Sequence, residues 1–396
     1  MNKQDVFAID KAHYMPVFAR YPMVISHGEG AYVTDTDGNR YLDFFAGIAV
    51  NALGHAHPNL VKAVAEQAAK VIHCSNLYYT EVQAQLIEKL AALSGLDKVF
   101  LANSGAEANE GALKLARKYG KTIADDKYEI ITANHCFHGR TLMTLTATAQ
   151  PKYQAGYEPL PQGFTYIDYN DIAALENAIS DKTCAVVLEP IQGEGGVNVP
   201  ADDYLQKVRA LCDKYGALLI FDEVQTGIGR TGKMFAYEHF GIKPDIVTLA
   251  KGLAGGVPIG AFLATDKVAS AFHPGDHGST FGGNPLACAA SKAVLDTILE
   301  DDLLDNVNEV GAYLMDAIRA LGEKYPTIIR SVRGKGFMVG IELTREGREI
   351  VQACLDAKLI INCTAGNVLR LVPSLTIGKQ QVDEMITILD AVLAKQ

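Results

Sequence analysis

The stretch Asp245-Ile-Val-Thr-Leu-Ala-Lys251 runs directly into Gly252-Leu-Ala-Gly-Gly-Val-Pro258. Its apolar run, residues 246–250, is bounded by turn residues, which predicts a buried strand in a parallel sheet. The strand delivers Lys251 into a glycine-rich turn. A poorly hydrated amine close to the backbone has a lowered pKa and can attack a carbonyl group. The alternative is an ordinary lysine that extends from a strand end to solvent, and the rest of the chain decides between the two.

The composition is that of a globular protein with an acidic surface. The chain has 396 residues, which is long for one core and predicts two domains. The net charge of -10 and the lack of Lys/Arg blocks argue against nucleic-acid binding. We find neither a signal-peptide core nor an apolar run of the roughly 18 residues that a membrane span needs. The seven cysteines are scattered without a Cys-x-x-Cys pair, which is typical of a reducing compartment, so we expect a cytoplasmic protein.

The chain divides into three segments. Residues 1–55 contain an arm and then a hairpin at residues 30–45, with Asp37-Gly38 as its turn. Residues 56–290 alternate strands with helices, which predicts a large domain built on a parallel sheet. Residues 291–396 contain helices and a glycine-rich strand pair at residues 334–343. We expect this C-terminal segment to form a smaller α+β domain together with the N-terminal hairpin.

Polar residues follow five predicted strands at the point where each strand ends. The segments and residues concerned are 103–110, 135–140, Glu189, Asp222 and Lys251. In an open parallel sheet, ligands bind beyond the carboxyl ends of the strands. Asp222 and Lys251 are separated by the length of one crossover between neighbouring parallel strands. The sequence therefore predicts that these side chains surround one ligand.

Each strand end offers a different kind of contact. Ser104 and Glu107 have capping-box spacing, and the free N–H groups at such a helix start suit a phosphate. Phe137 and Arg140 could stack on a flat ring and bind a carboxylate. Asp222 can hold a ring nitrogen protonated. Together with the amine of Lys251, these are the contacts that pyridoxal phosphate requires.

Two other interpretations of local motifs are weaker. Residues 227–232 fit G-x-G-x-x-G, and Lys233 nearly completes a P-loop, which would make the chain a nucleotide-binding regulator. However, Met234 stands where a P-loop needs Ser or Thr. His55 and His57 could be metal ligands, but no further ligand lies beside them at a suitable spacing. We therefore expect no metal.

With these residues identified, the chain resembles the class III (ornithine-type, subgroup II) aminotransferases over essentially its whole length. The resemblance is carried by Asn103-Ser-Gly-Ala-Glu-Ala-Asn-Glu110, Phe137-His-Gly-Arg140, Glu189-Pro-Ile-Gln-Gly-Glu-Gly195, Phe221-Asp-Glu-Val-Gln225, Leu249-Ala-Lys-Gly252 and His277-Gly-Ser-Thr-Phe-Gly-Gly-Asn-Pro285. It implies an α/β protein of the pyridoxal-phosphate-dependent transferase fold type I. This fold has a large domain with a mostly parallel seven-stranded sheet and a smaller α+β domain. It also implies a homodimer with shared active sites.

The resemblance implies roles for individual residues. Lys251 would be the Schiff-base lysine, and Asp222 would pair with the ring nitrogen of the cofactor. The remaining cofactor-binding residues would be Gly105, Ala106, Phe137, Glu223, Val224, Gln225 and, from the partner subunit, Thr280. Substrate-binding residues would be Arg140, Ser279 of the partner subunit, Glu189 and Arg370. Arg370 would bind the α-carboxylate of 2-oxoglutarate, and Glu189 resembles a gating glutamate that pairs with this arginine when the amine donor is bound.

The first hypothesis for the activity is transfer of the terminal amino group of N2-acetylornithine to 2-oxoglutarate, as part of arginine biosynthesis. Phe18 and Ile48 stand where ornithine-specific relatives have tyrosines, which favours an N-acylated donor over free ornithine. Succinylornithine, ornithine and 4-aminobutyrate remain alternative donors. A second hypothesis is an aminomutase or racemase of the same family, which keeps the nitrogen on the substrate.

Overall fold

The computed structural model describes residues 1–396. The N-terminal elements are α1 (Lys3–His13), β1 (Ile25–Glu29), β2 (Tyr32–Asp35), β3 (Arg40–Asp43) and the single turn α2 (Ala46–Ala49). The predicted hairpin is confirmed, because β2 and β3 pair antiparallel on either side of Asp37-Gly38. The first 30 residues, predicted as an arm, contain a helix and a strand. Helix α1 begins with a capping box between Asn2 and Asp5.

A seven-stranded sheet forms the centre of the large domain. Its elements, in chain order, are α3 (Pro58–Ala68), α4 (Glu81–Ser94), β4 (Lys98–Ala102), α5 (Gly105–Ile123), β5 (Glu129–Ala133), α6 (Leu142–Ala147), α7 (Pro151–Gln154), β6 (Phe164–Ile167), α8 (Ile172–Ala178), β7 (Thr183–Leu188), α9 (Tyr204–Tyr215), β8 (Leu218–Asp222), β9 (Ile246–Leu249), β10 (Gly260–Ala264) and α10 (Asp266–Ala269). The strand order is β4-β10-β9-β8-β7-β5-β6. Strand β10 is antiparallel to both neighbours, and the other neighbouring pairs are parallel. The predicted mostly parallel sheet is confirmed.

The central strands are mostly apolar because helices cover both faces of the sheet. Every residue of β7, β8 and β9 is buried. Alternate residues contribute to two hydrophobic clusters: Val187 and Ile220 lie in the cluster with α5, and Val186 and Leu219 lie in the cluster with α9. Sheets buried on both faces have near-continuous hydrophobic strands, so polar residues are left for the strand ends.

The C-terminal segment completes the small domain. Its elements are α11 (Pro285–Glu300), α12 (Leu303–Lys324), β11 (Ile329–Lys335), β12 (Met338–Leu343), α13 (Arg348–Asp356), β13 (Leu359–Ile360), β14 (Asn362–Thr364), β15 (Val368–Leu371) and α14 (Lys379–Leu393). Strand β13 pairs with β3, which joins the N-terminal hairpin to this segment as expected. The predicted boundary at residues 290–291 falls inside α11, which packs against α3 and α4 of the large domain. No helix combines the length and the apolar character that a membrane crossing requires.

The glycine-rich loop at residues 227–233 connects the two domains. The guanidinium of Arg230 is buried and donates to the carbonyl oxygens of Phe337, at 3.2 Å, and Pro373. A Cβ on Gly232 would lie 2.0 Å from Asn308 Oδ1 in α12. These contacts explain the glycines without a bound nucleotide. His55 contacts Asp43 at 2.9 Å, and no three His, Cys, Asp or Glu side chains are grouped as metal ligands.

Asp35 organises the turn of the N-terminal hairpin. Its buried carboxylate accepts hydrogen bonds from the backbone N–H groups of Asp37 (2.9 Å) and Asn39 (2.8 Å) and from the hydroxyl of Tyr41 (2.9 Å). Burial alone would raise the pKa of Asp35, but the hydrogen bonds outweigh it and lower the pKa to about 2. Stability from a lowered pKa is present above the unfolded-state value and is lost as the pH falls toward the folded-state value.

We therefore expect Asp35→Asn to lower the Tm at pH 7 by about 2–4 °C, because the amide retains only part of the hydrogen bonding. The difference from the parent protein should shrink as the pH falls from about 4 to about 2. Thermal unfolding followed by circular dichroism across this range checks it. Asp37→Asn, at an exposed position of the same turn, is the control and should change the Tm by less than about 1 °C. A difference between Asp35→Asn and parent that is independent of pH would contradict this explanation.

Candidate active site

The carboxyl ends of β5, β7, β8 and β9 open onto one cavity of about 350 Å³. Most of the site residues predicted from the strand ends or implied by the resemblance line it together: Gly105, Ala106, Phe137, Arg140, Glu189, Asp222, Val224, Gln225 and Lys251. Four predicted residues do not line it, namely Glu223, Ser279, Thr280 and Arg370. The prediction that the strand ends meet at one site is therefore confirmed, while the four exceptions have separate positions described below.

Lys251 follows strand β9 and begins a tight turn at residues 251–254, with a φ of 39°. Burial is the largest effect on its amine and lowers the pKa of Lys251. Nearby carboxylates, first Glu194, act in the opposite direction, and Arg370 adds to the lowering. The net lowering increases the fraction of neutral amine, which is the form that attacks a carbonyl carbon and accepts a proton.

Asp222 is held by three hydrogen bonds at the end of β8. Its Oδ2 accepts from Asn109 Nδ2 at 2.8 Å and from His138 Nδ1 at 2.7 Å, and its Oδ1 accepts from Val224 N at 3.0 Å. Burial disfavours protonation of His138, but the contacts with Cys136 and Asp222 outweigh it and raise the pKa of His138 well above its usual value. Neither Asn109 nor His138 was assigned a role from sequence, although both lie in the segments that carried the resemblance.

The start of α5 forms an anion site on the cavity wall. Ser104 caps the helix by accepting from Glu107 N at 3.2 Å. The N–H groups of Gly105 and Ala106 are in the first turn and have no intrahelical partner. A Cβ on Gly105 would lie 2.9 Å from Val224 Cγ1, so any side chain here would fill the space between the helix start and the cavity. The carboxylate of Glu107 accepts from the backbone N–H of Asn103 at 2.7 Å, and not from that of Ser104 as in a standard capping box.

Phe137 and Arg140 form another wall, and Tyr153 packs against both of them from outside the cavity lining. The ring of Phe137 meets Tyr153 edge-on, with 6.2 Å between centroids and an interplanar angle of 88°. The guanidinium of Arg140 lies 3.9 Å from the centroid of Tyr153. Tyr153 was missed because a single tyrosine in the short helix α7 has no distinguishing pattern in the sequence. It orients Arg140 through a cation–π contact.

The predicted pairing of Glu189 with Arg370 is wrong. Both carboxylate oxygens of Glu189 accept from backbone, from Phe137 N at 3.2 Å and from Gly193 N at 3.0 Å. Arg370 donates instead to Glu194 Oε1 at 2.5 Å, and Glu194 follows Glu189 in the same loop. Burial acts to raise the pKa of Glu194, but Arg370 and Lys251 outweigh it and lower the pKa. Arg370 is almost fully buried, and Glu194 stands between it and the cavity.

Two further residues differ from their predicted surroundings. The side chain of Gln225 accepts from Arg370 Nη1 at 2.9 Å and donates to Glu194 at 3.2 Å, so it belongs to the Arg370 pair while lining the cavity. Glu223 faces away from the cavity. Its carboxylate accepts from Thr226 Oγ1 and from the backbone N–H groups of Ala236 and Tyr237 at 2.8–2.9 Å. The prediction that Glu223 binds the cofactor is therefore wrong, because its side chain is used to hold the following turn.

Ser279 and Thr280 line a second opening beside Asn103 and Glu107 and do not reach the Lys251 cavity of their own chain. Ser279 Oγ accepts from Asn103 Nδ2 at 3.1 Å. This position agrees with the expectation that both residues serve a neighbouring subunit. The contribution of a partner subunit stays a prediction.

The cavity fits pyridoxal phosphate on three independent features. Lys251 provides a partly buried amine with a lowered pKa. Asp222 presents a carboxylate whose Oδ2 is already occupied by two donors, which leaves Oδ1 available for a ring N–H. The side-chain-free Gly105 leaves room at a helix N-terminus for a phosphate.

Comparisons with known proteins agree with this geometry. The family model described as "Aminotransferase class-III" matches residues 14–393. A protein from Methanocaldococcus jannaschii named acetylornithine aminotransferase is 51% identical over 100% of this chain and 99% of its own. The structure of the ornithine aminotransferase from Toxoplasma gondii, described with pyridoxal phosphate at the active site, has a TM-score of 0.96 at 36% identity and covers 100% of this chain and 94% of that one. The acetylornithine aminotransferase from Elizabethkingia anophelis has a TM-score of 0.89 at 36% identity, with 100% of both chains covered.

Crowding at the helix start should weaken cofactor binding. We expect Gly105→Ala to raise the Kd of pyridoxal phosphate by about tenfold or more, because the added methyl group is pressed against Val224. Absorbance titration of the apoenzyme with the cofactor measures this. Gly322→Ala in α12, where a Cβ would have its nearest contact at 3.6 Å, is the matched control and should leave the Kd unchanged. An unchanged Kd in Gly105→Ala would show that the phosphate does not bind at this helix start.

Proposed function

The chain belongs to the class-III aminotransferases, which use pyridoxal phosphate, and we propose that it transfers the terminal amino group of N2-acetylornithine to 2-oxoglutarate. The products would be N-acetylglutamate 5-semialdehyde and glutamate, in a step of arginine biosynthesis. The observation that carries the proposal is the Arg370–Glu194 pair beside Lys251. An arginine whose carboxylate partner can be displaced by a substrate carboxylate suits an enzyme that alternates between two different substrates. The names of relatives about 50% identical over the full chain support the donor.

Lys251 and Asp222 are the residues to which we assign the chemistry. When bound, pyridoxal phosphate supplies a carbonyl carbon for the amine and a ring that withdraws electrons from the carbon next to the nitrogen. Lys251 Nζ would hold the cofactor in the resting enzyme until the donor amine takes its place. During turnover the released Lys251 amine would accept the proton from the substrate carbon that bears the nitrogen and donate it to the carbon on the other side of that nitrogen. The carboxylate of Asp222 would hold the hydrogen on the ring nitrogen.

The cavity walls bind and orient the cofactor. We assign the phosphate to the N–H groups of Gly105 and Ala106, where the helix N-terminus favours an anion. Phe137 and Val224 line the cavity and would contact the ring. Gln225 lines the cavity and would approach the ring oxygen while its side chain contacts Arg370. Thr280 of the partner subunit would complete the phosphate site.

Arg140 and Arg370 would bind the substrate carboxylates at different stages. Arg140 is exposed at the cavity mouth and suits the carboxylate of the donor, with Ser279 of the partner subunit beside it. Arg370 suits the α-carboxylate of 2-oxoglutarate, which must displace Glu194 to reach it. While the donor is bound, Glu194 keeps Arg370 paired, so no buried charge is left without a partner. This exchange would let one cavity take a donor without a carboxylate at that end and an acceptor with one.

We place the donor against an apolar part of the cavity wall. Val50 and residues 257–259 line it, and Ile48 lies in the adjacent left-handed turn α2 with a φ of 68°. Free ornithine would place a charged α-amino group against these side chains, which is unfavourable without a polar partner. An N-acylated ornithine carries no charge there. Phe18 is 66% exposed, and neither Phe18 nor Ile48 lines the cavity of its own chain, so the choice of donor rests on Val50 in the cavity wall, with Ile48 in the turn beside it.

We further propose a homodimer with shared active sites. Leu77, Tyr79 and Phe281 are at least 61% exposed, although large apolar side chains are normally covered. Phe281 directly follows Thr280, so a partner that covers it would also bring Thr280 to a neighbouring cavity. The seven free cysteines suit a reducing environment, and we assign the reaction to the cytoplasm.

The donor is tested by comparing kcat/KM for N2-acetylornithine, succinylornithine, ornithine and 4-aminobutyrate with 2-oxoglutarate as acceptor. We expect N2-acetylornithine to give the highest value and ornithine to be at least about tenfold lower, because its α-ammonium group loses hydration without compensation. Ile48→Tyr should reduce the difference in kcat/KM between N2-acetylornithine and ornithine, because the tyrosine offers a hydroxyl to the α-ammonium group. Ile123→Tyr, at an exposed position outside the cavity, is the control. A higher kcat/KM for ornithine or 4-aminobutyrate would contradict the assigned donor.

The exchange at Arg370 predicts a selective effect of Glu194→Gln. The neutral amide competes less strongly for Arg370, so KM for 2-oxoglutarate should fall severalfold. For the donor, kcat/KM should fall because Arg370 is left without its counter-charge. Steady-state kinetics with each substrate varied in turn measures both. Glu300→Gln at an exposed site is the control, and parallel changes for both substrates would argue against the exchange.

A further inference from the structure

We propose that Asn109 and Thr248, together with His138, are positioning residues that fix the orientation of Asp222 toward the ring nitrogen of the cofactor. The inference rests on the role proposed for Asp222. It adds three residues that act through the Asp222 carboxylate; Asn109 and His138 also line the cavity, whereas Thr248 does not.

The side-chain amide of Asn109 is the centre of the network. Its Nδ2 donates to Asp222 Oδ2 at 2.8 Å and to the carbonyl oxygen of His138 at 2.8 Å. Its Oδ1 accepts from Thr248 Oγ1 at 2.7 Å. All hydrogen-bonding groups of the amide therefore have partners. The reverse orientation would place Oδ1 against two acceptor oxygens, so the amide can present only its N–H groups to Asp222.

His138 supplies the second donor to the same carboxylate oxygen. Its Nδ1 lies 2.7 Å from Asp222 Oδ2, and because an ionised carboxylate only accepts, Nδ1 carries a hydrogen. The backbone of His138 is fixed in turn, since its N–H donates to Thr148 Oγ1 at 2.8 Å. Asn109 thus contacts the main chain of His138 directly and shares Asp222 Oδ2 with the His138 side chain.

The arrangement leaves one direction open on Asp222. Oδ2 accepts from two side chains, and Oδ1 accepts from Val224 N at 3.0 Å. Each carboxylate oxygen has about two acceptor positions, so only Oδ1 retains one for a ring N–H. Rotation of the carboxylate would break two hydrogen bonds to Oδ2 at once. The network therefore locks the side-chain torsion that aims Oδ1.

Burial strengthens this constraint on the Asp222 side chain. Asn109, His138, Asp222 and Thr248 are 3%, 2%, 3% and 0% exposed, so water cannot replace a lost partner. The fold sets the positions: Thr248 lies directly opposite Asp222 in the parallel pair β8–β9, and α5 packs across both strands. Loosening the network should disturb the chemical steps rather than substrate binding, because Arg140 and Arg370 do not take part in it.

The test compares four variants of the holoenzyme: Asn109→Leu, Thr248→Val, Thr248→Ser and the control Thr132→Val. Thr132 is a fully buried threonine of β5 whose hydroxyl has no partner, so its replacement by valine matches Thr248→Val in all but the network. Two quantities are measured. The first is the ¹⁵N chemical shift of the ring nitrogen in enzyme loaded with ring-labelled pyridoxal phosphate and no substrate. The second is kcat and KM with the donor and 2-oxoglutarate.

We expect Asn109→Leu to move the ¹⁵N shift toward that of an unprotonated ring and to lower kcat by at least about tenfold, with each KM within about threefold of the parent value. Thr248→Val should change the ¹⁵N shift and kcat in the same direction but by less. Thr248→Ser, which keeps the hydroxyl, and Thr132→Val should both give the parent values. A parental ¹⁵N shift and a kcat within twofold in Asn109→Leu would overturn the proposal. If that variant does not fold, the same outcome in Thr248→Val would overturn it.

The ¹⁵N measurement needs no substrate, so it separates this inference from the proposed function. If the parent enzyme shows a protonated ring but does not turn over N2-acetylornithine, the donor assignment fails and the positioning network stands. If the parent enzyme turns over the donor and all four variants behave alike, the network fails and the function stands.

Discussion

The parallel pairing of β8 with β9 is the constraint on which the site depends. It places Thr248 opposite Asp222, so that the chain leaving β9 brings Lys251 into the cavity that Asp222 also lines. Both strands are buried on two faces, and their only polar residues are Asp222, at the end of β8, and Thr248 in β9. The carboxylate of Asp222 and the amine of Lys251 therefore line one cavity at the edge of a sheet whose interior excludes water. In that setting burial lowers the pKa of Lys251, and hydrogen bonds rather than water hold Asp222.

Around this pair, the cost of burying charge shapes the rest of the site. Arg370 is almost fully buried and needs a carboxylate at all times, which Glu194 provides and a substrate can replace. Glu189 and Glu223 are also buried, and backbone N–H groups satisfy both. The loop after β7 and the loop after β8 therefore each use one acidic residue to hold their own shape. A different residue in each loop remains available to the cavity.

The sequence predicted the elements that follow from hydrophobic patterning and from motif order. The seven-stranded sheet, the hairpin around Asp37-Gly38 and the convergence of Asp222 and Lys251 were confirmed. The sequence could not decide whether Glu189 or Glu194 pairs with Arg370, because two glutamates close in sequence fit the same pattern. The path of their loop in the structure decides it. Asn109 was missed for a similar reason: in sequence it is one polar residue of a helix, and its contacts with Asp222 and Thr248 come from segments more than 100 residues away.

The central claim is that this cavity moves nitrogen from a donor amine to 2-oxoglutarate. The most direct measurement uses N2-acetylornithine carrying ¹⁵N only at its terminal amine, with unlabelled 2-oxoglutarate and mass spectrometry of the products. We expect glutamate with one ¹⁵N per molecule from the parent enzyme, and no labelled glutamate from the Lys251→Ala enzyme, whose fold should be intact. Label that stays in a rearranged donor, or labelled glutamate formed by Lys251→Ala, would contradict it.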